Sequence, residues 1–331
     1  MVDFCSSIDL GEYVLNNVLG GEVMKVISVI NYKGGVGKTT LSANIAAELA
    51  FEGKNVLIID LDPQTNLTLS FIDLYEWQRF DSQGRTIKHW YDDFLDNDKD
   101  TSLKNLIVVP EKINKRLELY NASGKVDLIC SHLELINVDM ELATRLGGNS
   151  DRTIRSNFIR VLSRLKQKIE DLKEDYDVIL IDCPPNFNIV TQNAIIASDY
   201  FLIPAKPDFL STLGIDQLIM HINELTSRYN RFVKESSKPE LLINPSVLGV
   251  IFTMVSFYDQ QPIQAQREYI AQVKRTTTTF TTHVRDNKTL FADAPEYGVP
   301  VVLKSEVTGT HLTVRSELED VVEEITKLTG I

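Results

Sequence analysis

Lys33-Gly34-Gly35-Val36-Gly37-Lys38-Thr39-Thr40 decides how this chain reads. The phosphate-binding loop pattern is GxxxxGK[ST], and Asn31 stands where its first glycine would be. The remaining glycines let successive backbone N–H groups turn inward, and a helix N-terminus completes the concave anion site. In this reading Gly34, Gly35, Val36, Gly37 and Thr40 line the site, and Lys38 reaches the β- and γ-phosphates. The Thr39 hydroxyl completes a Mg²⁺ shell otherwise made mostly of water and phosphate oxygen. A glycine-rich turn closing an ordinary strand–helix unit is the alternative. GKT in register between a strand and a helix argues against it.

The flanks fit. Val26–Asn31 precedes the loop as a short apolar run, and Leu41, Ile45 and Leu49 recur at helical spacing after it. Further Val/Ile-rich runs lie at Val56–Asp60, Val126–Cys130, Val178–Asp182 and Phe201–Pro204. Continuous apolarity in runs this short suits parallel strands buried on both faces. Ile154, Phe158, Val161, Leu165, Ile169 and Leu172 trace one apolar helical stripe between two of them. The expected fold class is therefore α/β, a doubly wound, mostly parallel sheet with helices on both faces. The second half continues with a helix at Ile215–Tyr229, a strand at Val247–Met254, a helix at Pro262–Val273 and a Thr-rich strand at Thr276–Val284. A tail stripe from Val314 to Leu328 reads as a core-docking helix, because its acidic polar face would be repelled by anionic lipid.

Of 331 residues, 43% are hydrophobic and 24% charged, a globular balance. Residues 1–23 read as an N-terminal extension, a short partner-binding helix or a cover for a dimer or a sheet edge. Residues 24–331 read as one domain, with 73–125 as surface loops and short elements inserted into the sheet's connections. Lys and Arg total 34 against 46 Asp and Glu, a net charge of −12 that excludes a uniformly basic nucleic-acid coat. Cys5, Cys130 and Cys183 have no metal-ligand spacing. With no signal peptide and no apolar run of membrane-spanning length, the expected location is cytoplasmic.

Three aspartates at strand ends join the loop. Asp60 and Asp62 follow Ile58-Ile59, and Asp182 closes Val178–Asp182. One strand-end aspartate alone caps a helix as readily as it binds a ligand. Three beside a phosphate loop point to function, since ligands of open α/β sheets collect at the strands' carboxyl ends.

These residues carry a resemblance. KGGVGKT resembles the deviant Walker A motif of the ParA/MinD family of dimeric ATPases, in which the first lysine, here Lys33, crosses to the partner's nucleotide. Asp60-Leu61-Asp62-Pro63-Gln64-Thr65-Asn66 resembles its DxDPQGN switch I, with Thr65 for the usual glycine, and Asp177–Pro185 resembles its Walker B and switch II. Thr253-Met254 resembles the family's strand end near the base, and Ala292-Asp293-Ala294-Pro295 its EAPxxGxPV loop. The closest branch looks like ParA/Soj, since the basic membrane helix that ends MinD is missing.

The resemblance implies ATP and Mg²⁺ as cofactors and catalytic roles for Lys33, Lys38 and Asp62. Asp62 orients water, while Thr39, Asp60 and Asp182 serve the metal and Thr253, Met254, Asp293 and Ala294 lie near the nucleotide. It implies homodimerisation on ATP, non-specific DNA binding, a ParB-like activator and no membrane, with a nucleoid location if the DNA role holds. Arg267, Lys274, Arg275, Arg285 and Lys288, interleaved with Thr276–Thr282, are the candidate DNA face. Scattered solvated charge is the competing reading of that face. Arg228, Arg231, Lys234 and Lys238 also read as a helix end completing its dipole. A positioning ATPase for a protein cargo is the rival function. An iron–sulfur reductase would need a second suitably placed cysteine, and a tyrosine autokinase a tail of tyrosines.

Overall fold

A computed structural model describes residues 23–305 and 308–331. The first 22 residues, most of the expected extension, lie outside the described ones. Six strands form one parallel sheet: β1 Lys25–Val29, β2 Asn55–Asp60, β3 Lys125–Ile129, β4 Val178–Asp182, β5 Tyr200–Ala205 and β6 Ser246–Phe252. Their order is β3-β2-β4-β1-β5-β6.

Alternate residues of each strand enter different cores. Leu57 and Ile59 of β2 face one cluster, and Val56 and Ile58 the other. Ile179 and Ile181 of β4 divide from Val178 and Leu180 in the same way. Burial on both sides is why these runs are apolar throughout instead of alternating.

The helices are α1 Lys38–Phe51, α2 Asn66–Phe71, α3 Leu74–Ser82, α4 Ile87–Asn97, α5 Glu111–Leu119, α6 Leu135–Thr144, α7 Asp151–Leu162, α8 Arg164–Ile169, α9 Ile189–Ala197, α10 Phe209–Glu235, α11 Gln264–Lys274, α12 Lys288–Tyr297 and α13 Thr310–Thr329. α1 and α13 pack together on one face, where Val314, Leu318, Val321, Val322 and Ile325 are buried. α7 to α10 supply the other face. Among the described residues no helix is long and apolar enough to cross a membrane.

Three segments differ from the sequence reading. The stripe from Ile154 to Leu172 is broken, because Ser163 leaves helical geometry (ψ −2°) and its hydroxyl donates back to the Ile159 carbonyl at 2.7 Å. The 73–125 segment holds α3, α4 and α5 in place of mostly loop. Asp73 and Glu76 form a reciprocal capping box at the start of α3, and Trp90 and Tyr91 of α4 are fully buried.

Thr276–Val284 is not a strand. It meets β6 and the residues after it through isolated bridges, Val250 with Thr279 and Val255 with Arg285. Between those bridges Glu324 of α13 takes the N–H groups of Thr281 and Thr282 at 2.9 and 2.8 Å, so the ladder cannot continue. Gly249 makes room for the Phe280 ring, since a Cβ there would lie 2.9 Å from it.

Candidate functional site

The carboxyl ends of β1, β2 and β4 lie side by side, with Asp60 opposite Asp182 and Val29 opposite Asp182. The 33–40 loop follows β1 and turns into α1 through Gly35 (φ 68°) and Gly37 (φ 81°), a backbone that side chains rarely adopt. A Cβ added to Gly34 or Gly35 would have no heavy atom within 4 Å beyond its chain neighbours, and both glycines line the open cavity described below, so the loop presents a cradle of bare backbone to it. Asn31 replaces the missing glycine with a clamp. Its Nδ2 donates to the Pro204 carbonyl at 2.7 Å and its Oδ1 accepts from Lys33 N at 2.9 Å.

Lys38 is 7% exposed, and its Nζ donates to the carbonyls of Asn31 and Lys33, each at 3.2 Å. Burial lowers its pKa, opposed by the negative charge of Asp182 and Asp62. Thr39 Oγ1 donates to Asp182 Oδ2 at 2.9 Å, and Ser42 Oγ to Asp182 Oδ1 at 2.8 Å. Burial pushes Asp182 up to about 6 and Asp60 to about 8.

Asp60 is wholly buried, and three donors from its own loop occupy it: Asp62 N, Thr68 N and Thr68 Oγ1. These contacts tie Asp60 to the residues that follow it, beside Asp182 at the neighbouring strand end. Thr39 and Asp182 are the hard-oxygen pair left beside the cradle, a set that suits Mg²⁺ when ligand oxygens and water supply the remaining positions.

Asp62 is 8% exposed, and its Oδ1 accepts from Gln64 N at 3.0 Å. With Gly34, Gly35, Lys38, Thr39 and Pro185 it lines a cavity of about 360 Å³. That cavity adjoins an apolar cleft of about 100 Å³ walled by Leu41, Met254, Val284 and Phe291, the two sharing Gly37, Thr40 and Met254. Thr253 is placed at the junction, its hydroxyl donating to the Val36 carbonyl at 2.8 Å. Asp293 and Ala294 fall on α12, and their side chains lie outside the described ones. Thr65, where the resemblance has glycine, sits at φ 55°, a strained conformation for a β-branched residue.

Lys33 turns away from this cavity. Its Nζ bridges both oxygens of Asp208, at 2.9 and 3.0 Å. Asp208 caps α10 by accepting from Ser211 N, and the exposed Phe209, Leu210 and Leu213 follow it.

A protein-family model described as an AAA domain matches residues 24–235. The sporulation initiation inhibitor protein Soj of Bacillus subtilis is 31% identical over 283 residues, covering 84% of this chain and 90% of Soj. The chain belongs to the ParA/MinD family.

Solved structures agree on the fold of this ParA/MinD-family chain. An ATP complex of McdA from Cyanothece superposes with a TM-score of 0.66 at 20% identity, covering 94% of this chain and 98% of McdA. A plasmid partition protein of Borrelia burgdorferi bound to AMPPNP gives 0.59 at 21% identity, covering 92% and 98%.

The candidate DNA face comes apart in part. The Arg285 guanidinium is committed to Glu317 at 2.7 Å and stacks on the Phe257 ring. Lys288 lies at the apolar cleft beside Asp286. Arg267, Lys274 and Arg275 remain exposed on and just beyond α11. Next to them, Arg228 and Arg231 of α10 face Thr276, Thr277 and Thr278 across an open groove of about 950 Å³. Of the two basic clusters only Arg228 and Arg231 line this groove, together with Asp216 and Glu224.

Sequence reasoning missed Ser42, Thr68, Ser131 and Asp208. Ser42 and Thr68 lie close in sequence to the motifs they support. Asp208 is 175 residues from Lys33, and no local pattern pairs them.

Proposed function

We propose that this chain is a Mg²⁺-dependent ATP hydrolase that acts as a nucleotide-gated homodimer in the cytoplasm. In this reading it takes part in DNA partition through non-specific DNA contacts and a ParB-like activator. The observation that carries the ATPase is the convergence of Lys38, Thr39 and Asp62 on one cavity lined by bare glycine backbone, with Asp182 hydrogen-bonded behind Thr39. When bound, Mg²⁺ supplies charge neutralisation on the β- and γ-phosphate oxygens. Lys38 adds a buried positive charge at the cradle, and Asp62 orients water at the cavity wall. The protein's work is positioning and charge compensation.

The dimer reading rests on Lys33. Within its own subunit it is held by Asp208 and points out of the phosphate cavity, next to exposed apolar side chains. Such a lysine is positioned to serve a second subunit. Lys33→Gln is expected to hydrolyse ATP at least tenfold more slowly. Mixing it with Lys38→Ala should restore part of the activity, because the hybrid has one site with both lysines. Steady-state phosphate release across mixing ratios is the measurement, and no rescue at any ratio overturns the role in trans.

For DNA, Arg228 and Arg231 in the α10–Thr278 groove and the exposed Lys274 and Arg275 at the end of α11 support sequence-independent, salt-sensitive contacts. In ATP and low salt the chain should be retained on duplex DNA. Arg275→Glu together with Lys274→Glu should weaken that retention at least tenfold in a filter or mobility assay, with hydrolysis unchanged. Unaltered retention excludes this face. The loss of Arg285 to Glu317 favours a second reading, a positioning ATPase for a protein cargo, and no retention at all would select it.

A further inference from the structure

Ser131, just past the end of β3, is wholly buried and holds three polar contacts. Its hydroxyl donates to the backbone carbonyl of Asp62 at 2.8 Å. Its N–H donates to Thr68 Oγ1 at 3.0 Å, and that hydroxyl donates onward to Asp60 at 2.7 Å. Its carbonyl accepts from the indole of Trp77 on α3 at 3.1 Å. One residue thus joins switch I at two points to the first helix of the 73–125 segment.

The Trp77 side of this junction is tightly framed. Its ring stacks on His132, with centroids 5.4 Å apart. His132 Nε2 lies 3.3 Å from Asp81, also on α3, and its Nδ1 accepts from Glu134 N. His89 of α4 meets the His132 ring edge-on. The main chain at Cys130, one residue earlier, receives Ile87 N of α4 at 2.9 Å. α3 and α4 therefore grip residues 130–132, and residue 131 grips the catalytic loop.

We infer that Ser131 and Trp77 are positioning residues for Asp62, forming a lever through which the 73–97 helices set where its carboxylate points. This rests on the ATPase reading above. The physical ground is the stiffness of a buried, fully paired network: the Asp62 carbonyl cannot shift without breaking a bond in low dielectric or moving Ser131 and, through it, the indole. The Asp62 carbonyl also accepts from Thr65 N at 2.9 Å, a turn within the same loop, so Ser131 is the contact that ties it to the chain beyond β3.

Trp77 is itself the reporter. The chain has two tryptophans, so a fluorescence change on adding Mg-ATP that disappears in Trp77→Phe belongs to Trp77. The lever predicts such a change in the wild-type chain. In Ser131→Ala, which removes the hydroxyl contact to Asp62 and keeps the backbone ones, the change should shrink at least twofold and kcat should fall about tenfold, while ATP affinity and KM stay within twofold. The double variant Trp77→Phe/Ser131→Ala should be no slower than Ser131→Ala alone, since both cut one line.

A merely structural Ser131 would lower the melting temperature without this split between kcat and KM, and that result overturns the lever. So do an unchanged kcat in Ser131→Ala, an undiminished Trp77 response in it, or additive losses in the double variant. A wild-type chain that binds ATP with no Trp77 response overturns the lever alone. One that binds no ATP overturns the proposed function and the lever with it. A thermal melt of each variant separates failure to fold from failure of the idea.

Discussion

Lys38→Ala is expected to weaken Mg-ATP binding by at least about 100-fold, read by calorimetric titration. The ammonium is 7% exposed and fixed by the Asn31 and Lys33 carbonyls, so it meets a phosphate with little further ordering. A charge-assisted hydrogen bond contributes roughly 1.5–3 kcal/mol. Loss of the charge itself adds about 3 kcal/mol, taking unit charges about 6 Å apart at an effective dielectric near 20. Two such effects overlap and do not sum, but either one approaches or exceeds a tenfold change, and together they pass 100-fold.

The variant also leaves Asp182 and Asp62 facing a polyanion with no lysine between them. Lys38→Arg should not rescue, because its planar fork needs more room than the slot between two carbonyls. Binding within tenfold of wild type would mean that the triphosphate does not sit on the 33–40 loop. A melting curve close to the wild-type one is the control that the cradle still folds.

How much of this was legible in the sequence follows from how local each interaction is. The glycine–lysine–threonine run, the strand ends and the order of elements are local, and β1 to β5 begin and end within two residues of the apolar runs that predict them. Lys38, Thr39 and Asp182 meet because β1 and β4 are neighbours, a pairing that the sheet order sets and no local pattern states.

What escaped is set by distant side chains. Thr-rich β-propensity pointed to a strand at 276–284, yet Glu324 removes two of its N–H groups. Arg285 read as free charge until Glu317 proved to hold it. The break at Ser163 and the cap at Asp73 were readable, because a serine that bonds back to the preceding turn and a D-x-x-E start are short-range signals. Ser131 carries no local signal of a role. Its contact with Asp62, 69 residues away, needed the fold.

Asp62→Ala should leave Mg-ATP bound within about threefold of wild type while hydrolysis falls at least 100-fold, the usual effect of removing a group that positions or deprotonates a nucleophile. The geometry separates these two properties. In the proposed reading Lys38, Thr39 and the glycine backbone hold the phosphates, and Asp62 lines the cavity from the loop after β2, where its negative charge does nothing to attract a polyanion. Asp62 Oδ1 also accepts from Gln64 N, so alanine removes a brace as well as a carboxylate. Asp62→Asn keeps an oxygen for that N–H and removes only the charge. If the charge orients water, both variants should lose hydrolysis alike and accumulate as ATP-bound dimers in sedimentation. If the brace is what matters, Asp62→Asn should retain most of its turnover, and the catalytic role passes to another residue of the cavity. A loss of ATP affinity in Asp62→Ala would instead mean that switch I holds the nucleotide directly, and Lys33 would then be the remaining group through which a second subunit could govern hydrolysis.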